Sequence, residues 1–189
     1  QGIERQDIMD KSRGNYMPAS EAPFTASHAI KLHTPEDFEG MRRAGRLAAE
    51  TLDFIAPYVK PGVTTNELND LCHDFIIRNG ATPAPLNYRG FPKSVCISLN
   101  HVVCHGIPGE RRLRDDDVLN IDVTVILDGW HGDTSRMYGV GHIPVKARRL
   151  IDITYDCLMK GLAVIKPGAR LGDIGHAIEA YAKSQRCGV

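Results

Sequence analysis

The sequence predicts an α+β fold in which pairs of helices pack on an antiparallel sheet. Four stretches place apolar residues at the spacing of amphipathic helices: about 34–59, 65–78, 144–165 and 171–185. Between the two pairs, two stretches have the composition and alternation of strands: 94–104 and 118–140. The helix-ending motif Lys-Pro-Gly occurs at 60–62 and again 106 residues later at 166–168, which indicates a duplicated α/β unit.

Composition and charge exclude several classes of function. The chain has 189 residues, of which 42% are hydrophobic and 24% charged, so it can bury a substantial core. Its 23 basic and 23 acidic residues balance, and no basic surface for specific nucleic-acid binding is expected. No apolar run is long enough to cross a bilayer and the start has no signal-peptide pattern, so we expect a cytoplasmic protein without membrane contact. Because residue 1 is Gln rather than Met, we expect that it is not a translation start.

The cysteines predict neither disulfides nor a zinc ribbon. Their number is odd and no Cys-x-x-Cys pair occurs: Cys72, Cys96, Cys104, Cys157 and Cys187. We interpret them as reduced, mostly buried small side chains of a cytoplasmic protein.

The N-terminal half of the first unit is helical. Residues 1–33 have no clear period and are predicted to form a partly ordered N-terminal arm. At Thr34-Pro35 the first helix begins, with Thr as N-cap and Pro in the first position, and it is predicted to continue to Val59. A second helix is predicted from Thr65 to Arg78, because Asn79-Gly80 provides a C-cap.

The β region begins after a proline-rich loop over 81–93. Residues 94–99 and 102–104 flank Asn100-His101 and predict a tight hairpin. Residues 109–117 are so rich in charge that we expect an ordinary solvated loop. A second hairpin is predicted over 118–140, closed by Asp128-Gly129, one of the strongest turn signals.

The repeat predicts a domain over 34–189, with a first half over 34–141 and a partial second half over 142–189. At the same offset, the counterpart of Asp122 would lie at position 228, beyond Val189. A half-built sheet leaves an unpaired edge and exposed apolar surface. We therefore expect further C-terminal sequence, or a partner, to complete the second half.

Two aspartates in the second hairpin point to a bound cation. A two-residue turn at 128–129 pairs Thr124 with Asp133 and Asp122 with Ser135, so the two carboxylates lie on one face as diagonal neighbours. An ordinary solvated face would carry Lys or Thr rather than Asp, and like charges on neighbouring strands destabilise a sheet. A metal between the carboxylates is therefore favoured, unless a one-residue bulge turns one of them away.

The ligand chemistry leaves the metal and its further ligands open. Carboxylates suit Mg²⁺, Ca²⁺ or Mn²⁺, whereas an added imidazole favours Mn, Fe, Co or Zn. His105, beside the Gly106-Ile107-Pro108 loop, is the first imidazole candidate and His131 the second. A structural role for either histidine is an open alternative.

Three segments resemble type I methionine aminopeptidases of the M24 metallopeptidase family: 35-PEDFEGMRRAGRLAAETLD-53, 92-PKSVCISLNHVVCHGIP-108 and 118-VLNIDVTVILDGWHGDTSRMYGVG-141. The resemblance covers about residues 34–188. It implies the pita-bread fold, in which two related halves with a curved antiparallel sheet hold a dinuclear metal site, and here the second half is incomplete.

The resemblance also implies roles for single residues. Asp122 and Asp133 match the two first-half metal ligands of the family, and one His and two Glu are expected beyond Val189. His105 matches the histidine that contacts substrate and stabilises the reacting amide, so the resemblance makes it catalytic rather than a metal ligand. Three positions match the pocket for the methionine side chain: Tyr88, Phe91 and Cys96.

The implied reaction is metal-dependent removal of the initiator methionine from nascent polypeptides with a small second residue. Two divalent ions (Co, Mn, Fe or Zn) would supply an activated water and polarise the scissile carbonyl. The resemblance further implies a cytoplasmic monomer in transient contact with ribosomes. Because only two of five ligands are present, we expect the 189-residue chain alone to bind metal weakly and to be inactive.

Three other functions are alternatives. One is another pita-bread hydrolase, such as an Xaa-Pro aminopeptidase, against which the Cys-His-Gly-Ile-Pro and His-Gly-Asp-Thr-Ser segments speak. Another is a non-catalytic pita-bread protein that binds partners or RNA, although both aspartates are intact. The last is a cysteine hydrolase using Cys104 beside His105, which is disfavoured because adjacent residues on a strand point to opposite faces.

Overall fold

The computed structural model describes residues 16–17, 30–31 and 33–189. The elements follow in the order β1 (Tyr16–Met17), β2 (Ile30–Lys31), α1 (Pro35–Ile55), α2 (Thr65–Arg78), β3 (Thr82–Pro83), β4 (Cys96–Leu99), β5 (Val118–Leu127), β6 (Trp130–Gly139), α3 (Val145–Ala163) and α4 (Leu171–Ser184). This order confirms the α+β prediction. Most of the predicted arm over 1–33 lies outside the described residues. Within the described part, β1 pairs antiparallel with β2.

The helices of the first unit begin at capping boxes. The Asp37 N–H donates to the Thr34 hydroxyl at 3.3 Å and the Thr34 N–H to the Asp37 carboxylate at 2.9 Å. The same reciprocal pair, between Thr64 and Glu67, begins α2, whose bounds are those predicted. The α1 helix ends at Ile55, earlier than predicted, and passes into a 3₁₀ turn over Ala56–Tyr58. Pro57 accounts for the difference because it has no N–H to continue the helical ladder.

The strand β5 is the centre of a four-stranded antiparallel sheet. β6 pairs with one edge of β5, and β3 and β4 follow each other along the opposite edge. The β5–β6 register pairs Thr124 with Asp133 and Asp122 with Ser135 and runs without a bulge, as predicted. The turn residues Asp128 and Gly129 have φ of 50° and 81°, as a tight hairpin of this type requires.

The main core lies between the helices α1 and α2 and one face of the sheet. Its fully buried large side chains come from both layers: Leu52, Ile55, Leu68, Ile76, Ile121, Val123 and Val125. Burial alternates along β5, so Asn120, Asp122 and Thr124 lie on the opposite face, which the two helices do not cover.

The second helical pair forms a small separate cluster around Ile153, Cys157 and Ala182. The helices α2 and α4 both have 14 residues and begin 106 residues apart, in agreement with the repeat. Several large apolar side chains of α3 are exposed: Leu150, Tyr155, Leu158, Met159 and Leu162. Among the described residues, none of the helices has the length and apolar character needed to span a membrane.

The predicted hairpin over 94–104 is half wrong. β4 and the turn at Asn100 are present, but residues 102–104 are not a strand. β5 occupies one edge of β4. The returning chain bonds to β4 through the turn, from Val102 N–H to Leu99 O at 3.1 Å, and further along through Ile97 N–H to Gly106 O at 2.9 Å. Val103 is 94% exposed as a result.

The charged segment 109–117 is also more than a solvated loop. Leu113 is buried in the main core and Asp117 is only 4% exposed. The Asp117 carboxylate accepts hydrogen bonds from the Asn100 amide at 2.8 Å and from the Arg114 N–H at 2.9 Å. The segment therefore ties the turn at Asn100 to the beginning of β5.

Candidate active site

A pocket of about 860 Å³ opens over the face of the sheet that α1 and α2 leave uncovered. Its floor is formed by side chains of β5 and β6, and its walls by the loop after β3 and the segment after β4. The lining residues are Ala84, Pro85, Tyr88, Arg89, Gly90, Phe91, Pro92, Cys96, His105, Ile107, Asp122, Thr124, His131 and Asp133. Every site residue predicted from the sequence is therefore in one pocket.

Asp122 and Asp133 give the pocket floor a negative charge. Burial raises the pKa of the Asp122 carboxyl, the charge of Asp133 raises it further, and His105 acts in the opposite direction. Neither carboxylate forms an ion pair with Lys or Arg within the described part of the chain. Two neighbouring acids without a protein cation fit a bound metal cation.

Thr124 orients one of these carboxylates. Its hydroxyl donates to Asp133 Oδ1 at 3.0 Å across the β5–β6 pair. Outer hydrogen bonds of this kind commonly set the orientation of carboxylate ligands.

The two aspartates are too few to hold a metal ion by themselves. Within residues 33–189, no group of three His, Cys, Asp or Glu side chains converges closely enough to hold a metal ion. His105 and His131 both line the pocket, but neither completes such a group with Asp122 and Asp133. A metal ion at this place would therefore need donors besides the two carboxylates.

His105 is held over the pocket by a strained segment. Its φ is 53°, in the left-handed region that non-glycine residues rarely adopt. The next residue, Gly106, donates its N–H to the Ser98 hydroxyl at 3.1 Å. A Cβ on Gly106 would lie 2.1 Å from the Ile97 carbonyl oxygen, so only glycine allows this close approach to β4. These contacts fix the backbone that carries the imidazole.

The loop over residues 84–92 forms the opposite wall. It is anchored to the floor strand by a hydrogen bond from the Ala84 N–H to the Thr124 carbonyl at 2.9 Å. Tyr88 is 64% exposed at the rim, whereas Phe91 is half-buried and Cys96 is buried. The loop and Cys96 of β4 together present an aromatic and thiol surface, which suits an unbranched apolar side chain.

The Cys96 thiol is a neutral wall group rather than a nucleophile. Burial raises its pKa to about 11, and the charges of Asp122, Cys104 and Asp133 act in the same direction. A thiol with this pKa is protonated near neutral pH. Cys104 is not among the described residues that line the pocket, so the geometry does not favour a cysteine hydrolase.

The family model for metallopeptidase family M24 matches residues 39–189. The chain belongs to metallopeptidase family M24. Its curated M24 relatives include methionine aminopeptidase of Rickettsia prowazekii, 64% identical over 160 residues that cover 85% of this chain and 62% of the relative. Methionine aminopeptidase of Escherichia coli (strain K12) is 54% identical over 159 residues, which cover 83% of this chain and 60% of the relative.

Solved structures agree with M24 membership. The crystal structure of methionine aminopeptidase from Rickettsia prowazekii matches with a TM-score of 0.81 and 65% identity, over 82% of this chain and 63% of that chain. The Thermotoga maritima methionine aminopeptidase matches with a TM-score of 0.79 and 30% identity, and the match covers 82% of this chain and 63% of that chain. Xaa-Pro dipeptidase from Bacillus anthracis shares the fold alone. It matches with a TM-score of 0.71 and 18% identity, over 80% of this chain and 41% of that chain.

These matches confirm the predicted family and its α+β pita-bread fold. The chain spans about three fifths of the length of the curated M24 relatives that it matches, 60–62% for the two given above.

The pocket roles of several residues were not predicted from the sequence. Alternation placed Thr124 on the correct face, but its bond to Asp133 depends on side-chain geometry. Arg89 and Ile107 belong to loops without a periodic signal, and only the folded chain brings them to the M24 pocket. A signal does exist for the close approach of Gly106 to β4, because a glycine between His105 and Ile107-Pro108 is typical of such an approach.

Proposed function

We propose that the complete product of the gene encoding this chain is a methionine aminopeptidase, which removes the initiator methionine from nascent polypeptides with a small second residue. One observation carries the proposal: two aspartates without a Lys or Arg partner among the described residues share one pocket with a histidine and an aromatic and thiol surface in an M24 chain. High identity to relatives with this name supports it.

Asp122 and Asp133 would bind divalent metal ions on the pocket floor. We propose two ions, drawn from Co, Mn, Fe and Zn, together with one His and two Glu from outside this chain. When bound, such ions lower the pKa of water and polarise a carbonyl group. Thr124 supports this role because its hydroxyl donates to Asp133 Oδ1 and would hold the carboxylate in a fixed orientation.

The other pocket residues would bind and orient the substrate. His105 would donate a hydrogen bond to the scissile amide, whose oxygen gains negative charge during the reaction. Tyr88, Phe91 and Cys96 would contact the methionine side chain, a flexible thioether that packs well against aromatic rings. The neutral Cys96 thiol suits this role because it adds no charge to the side-chain pocket.

The cellular setting follows from the same proposal. The substrate would be the N-terminus of a nascent polypeptide, met in the cytoplasm during transient contact with ribosomes. We propose a monomer without specific nucleic-acid binding, in keeping with a formal net charge of zero.

The test measures methionine release by the complete gene product. With Mn²⁺ or Co²⁺, we expect it to cleave Met-Ala-Ser and not Ala-Pro-Ser, while Asp122→Asn loses activity because a carboxylate ligand is removed. Preference for the Xaa-Pro peptide would instead indicate an Xaa-Pro aminopeptidase. Absence of any metal-dependent cleavage would overturn the proposal and favour a non-catalytic M24 protein.

A further inference from the structure

Arg89 places a positive charge on the rim of the pocket. Its side chain is the sole guanidinium or ammonium group among the described residues that line the pocket. It is exposed, and within the described part of the chain it forms no ion pair with a carboxylate. This charge is therefore free to meet a group on a bound ligand.

The loop holds this charge in a defined place. The Arg89 guanidinium carbon lies 5.4 Å from the centre of the Tyr88 ring, within the range of a cation–π contact. The loop closes through a hydrogen bond from the Asn87 N–H to the Phe91 carbonyl at 2.8 Å. The position of the side chain is thus set by the same turn that carries the aromatic wall.

The backbone of Arg89 is unusual for its residue type. It has φ of 48° and ψ of 33°, between Asn87 at φ 66° and Gly90 at φ 85°. A left-handed conformation is costly for an arginine, and glycine or asparagine would adopt it more readily. Strained residues of this kind concentrate at functional sites, which favours a ligand-binding role over that of an ordinary solvated arginine.

The chemistry of the substrate limits what the guanidinium can meet, and this step rests on the proposed function. A methionine side chain is neutral and its free amino group is cationic, so neither attracts a second cation. The second residue is small and uncharged. The first position that can carry a negative charge is the third residue, and an extended chain places it about 7 Å beyond the first residue. An exposed arginine on the rim can reach that far.

We propose that Arg89 is a specificity-determining residue that favours substrates with Asp or Glu at the third position over substrates with Lys there. The contact is exposed, so the expected preference is modest, about two- to fivefold. It weakens as ionic strength rises, because exposed charge pairs are screened by salt.

The experiment compares two C-terminally amidated peptides, Met-Ala-Asp-Ala and Met-Ala-Lys-Ala, which differ only in the charge of the third residue. Cleavage is measured as kcat/KM with the metal-loaded complete gene product. Binding of both peptides is measured by calorimetry with the metal-free protein. The variants are Arg89→Gln, Arg89→Lys, and Lys146→Gln, an exposed lysine of α3 outside the pocket lining that gives the same change in net charge as Arg89→Gln.

We expect wild type, Arg89→Lys and Lys146→Gln to prefer the aspartate peptide and Arg89→Gln to lose that preference. An equal preference in wild type and Arg89→Gln, no preference in wild type, or no binding of either peptide would overturn the inference. If binding shows the Arg89-dependent preference while neither peptide is cleaved, the proposed aminopeptidase function fails and the inference about Arg89 stands.

Discussion

The hydroxyl of Thr124 lies 3.0 Å from Oδ1 of Asp133, on the strand that faces it across the hairpin. This hydrogen bond joins the central strand to one of the two pocket carboxylates. It holds that carboxylate in one orientation before any cation is present, which lowers the cost of binding one.

Replacing Thr124 with Val tests this relationship. The change keeps the shape of the side chain but removes the hydroxyl, so we expect Mn²⁺ affinity of the complete gene product to fall about tenfold or more. Calorimetry measures the affinity directly. Thr124→Ser keeps the donor and serves as the control; an equal loss in both variants would show that packing, rather than the hydrogen bond, accounts for the effect.

His105→Ala separates substrate contact from metal binding. If His105 donates to the reacting amide, its removal lowers kcat about 10²- to 10³-fold with little change in metal affinity. Steady-state kinetics and Mn²⁺ calorimetry on the same preparation give both quantities. A comparable loss of metal affinity would make His105 a ligand instead.

Gly132 and Gly45 are predicted to respond oppositely to the same substitution. A Cβ on Gly132 would lie 2.0 Å from the Ala44 carbonyl oxygen of α1, so Gly132→Ala should lower the free energy of unfolding by about 1–3 kcal/mol. Gly45 lies inside α1 with nothing within 4 Å of the added Cβ, and Gly45→Ala should stabilise by about 0.5–1 kcal/mol. Urea unfolding measures both; a stable Gly132→Ala variant would contradict the close packing of α1 on β6.

The lowered pKa of Asp117 predicts that the free energy of unfolding falls in acid. Burial alone raises the pKa of its carboxyl, but hydrogen bonds from Asn100 and Arg114 and the charges of Arg111 and Arg114 outweigh burial and leave the pKa lowered. A carboxyl with a lowered folded-state pKa stabilises the fold above its unfolded pKa of about 3.9, and that stabilisation is lost as pH falls through the folded value.

Unfolding free energies of wild type and Asp117→Asn, measured from pH 7 down to pH 3, test this. Wild type should be the more stable at pH 7, and the difference should shrink as pH falls below about 4. Parallel pH curves for the two proteins would show that the Asp117 charge does not contribute.

The 189-residue chain alone is predicted to bind divalent metal weakly and to release no methionine. Its described residues bring two carboxylates to the site, and no third His, Cys, Asp or Glu side chain among them converges closely enough to complete a metal site. Calorimetry with Mn²⁺ and a Met-Ala-Ser assay check both parts. Methionine release at a rate like that of the complete gene product would contradict the prediction.

Local chemistry made the hairpin predictable. The Asp128-Gly129 turn sets which residues pair across β5 and β6, and alternation then assigns Asp122 and Asp133 to one face. The capping residues Thr34 and Thr64 likewise mark where α1 and α2 begin. These features depend on residues a few positions apart, so sequence alone contains the information.

The features that were missed depend on contacts between distant parts of the chain. The buried Asp117 carboxylate is stabilised by a hydrogen bond from Asn100, 17 residues earlier, and nothing in the charged run around Asp117 indicates that partner. The two residues of β3 form a strand only because Ile126 and Val125 offer them a free edge. Arg89 reaches the pocket through a left-handed turn that its residue type does not predict.

The alternation of β5 constrains how this gene can change. The side chains on one face of the strand are buried in the hydrophobic core, and the other face carries Asp122 and Thr124. Insertion or deletion of one codon between Val118 and Leu127 would exchange the two sides from that point on, burying carboxylates and exposing valines. For the stability of the fold, substitutions in this strand should therefore be tolerated with a period of two, and every single-residue change in length should be rejected.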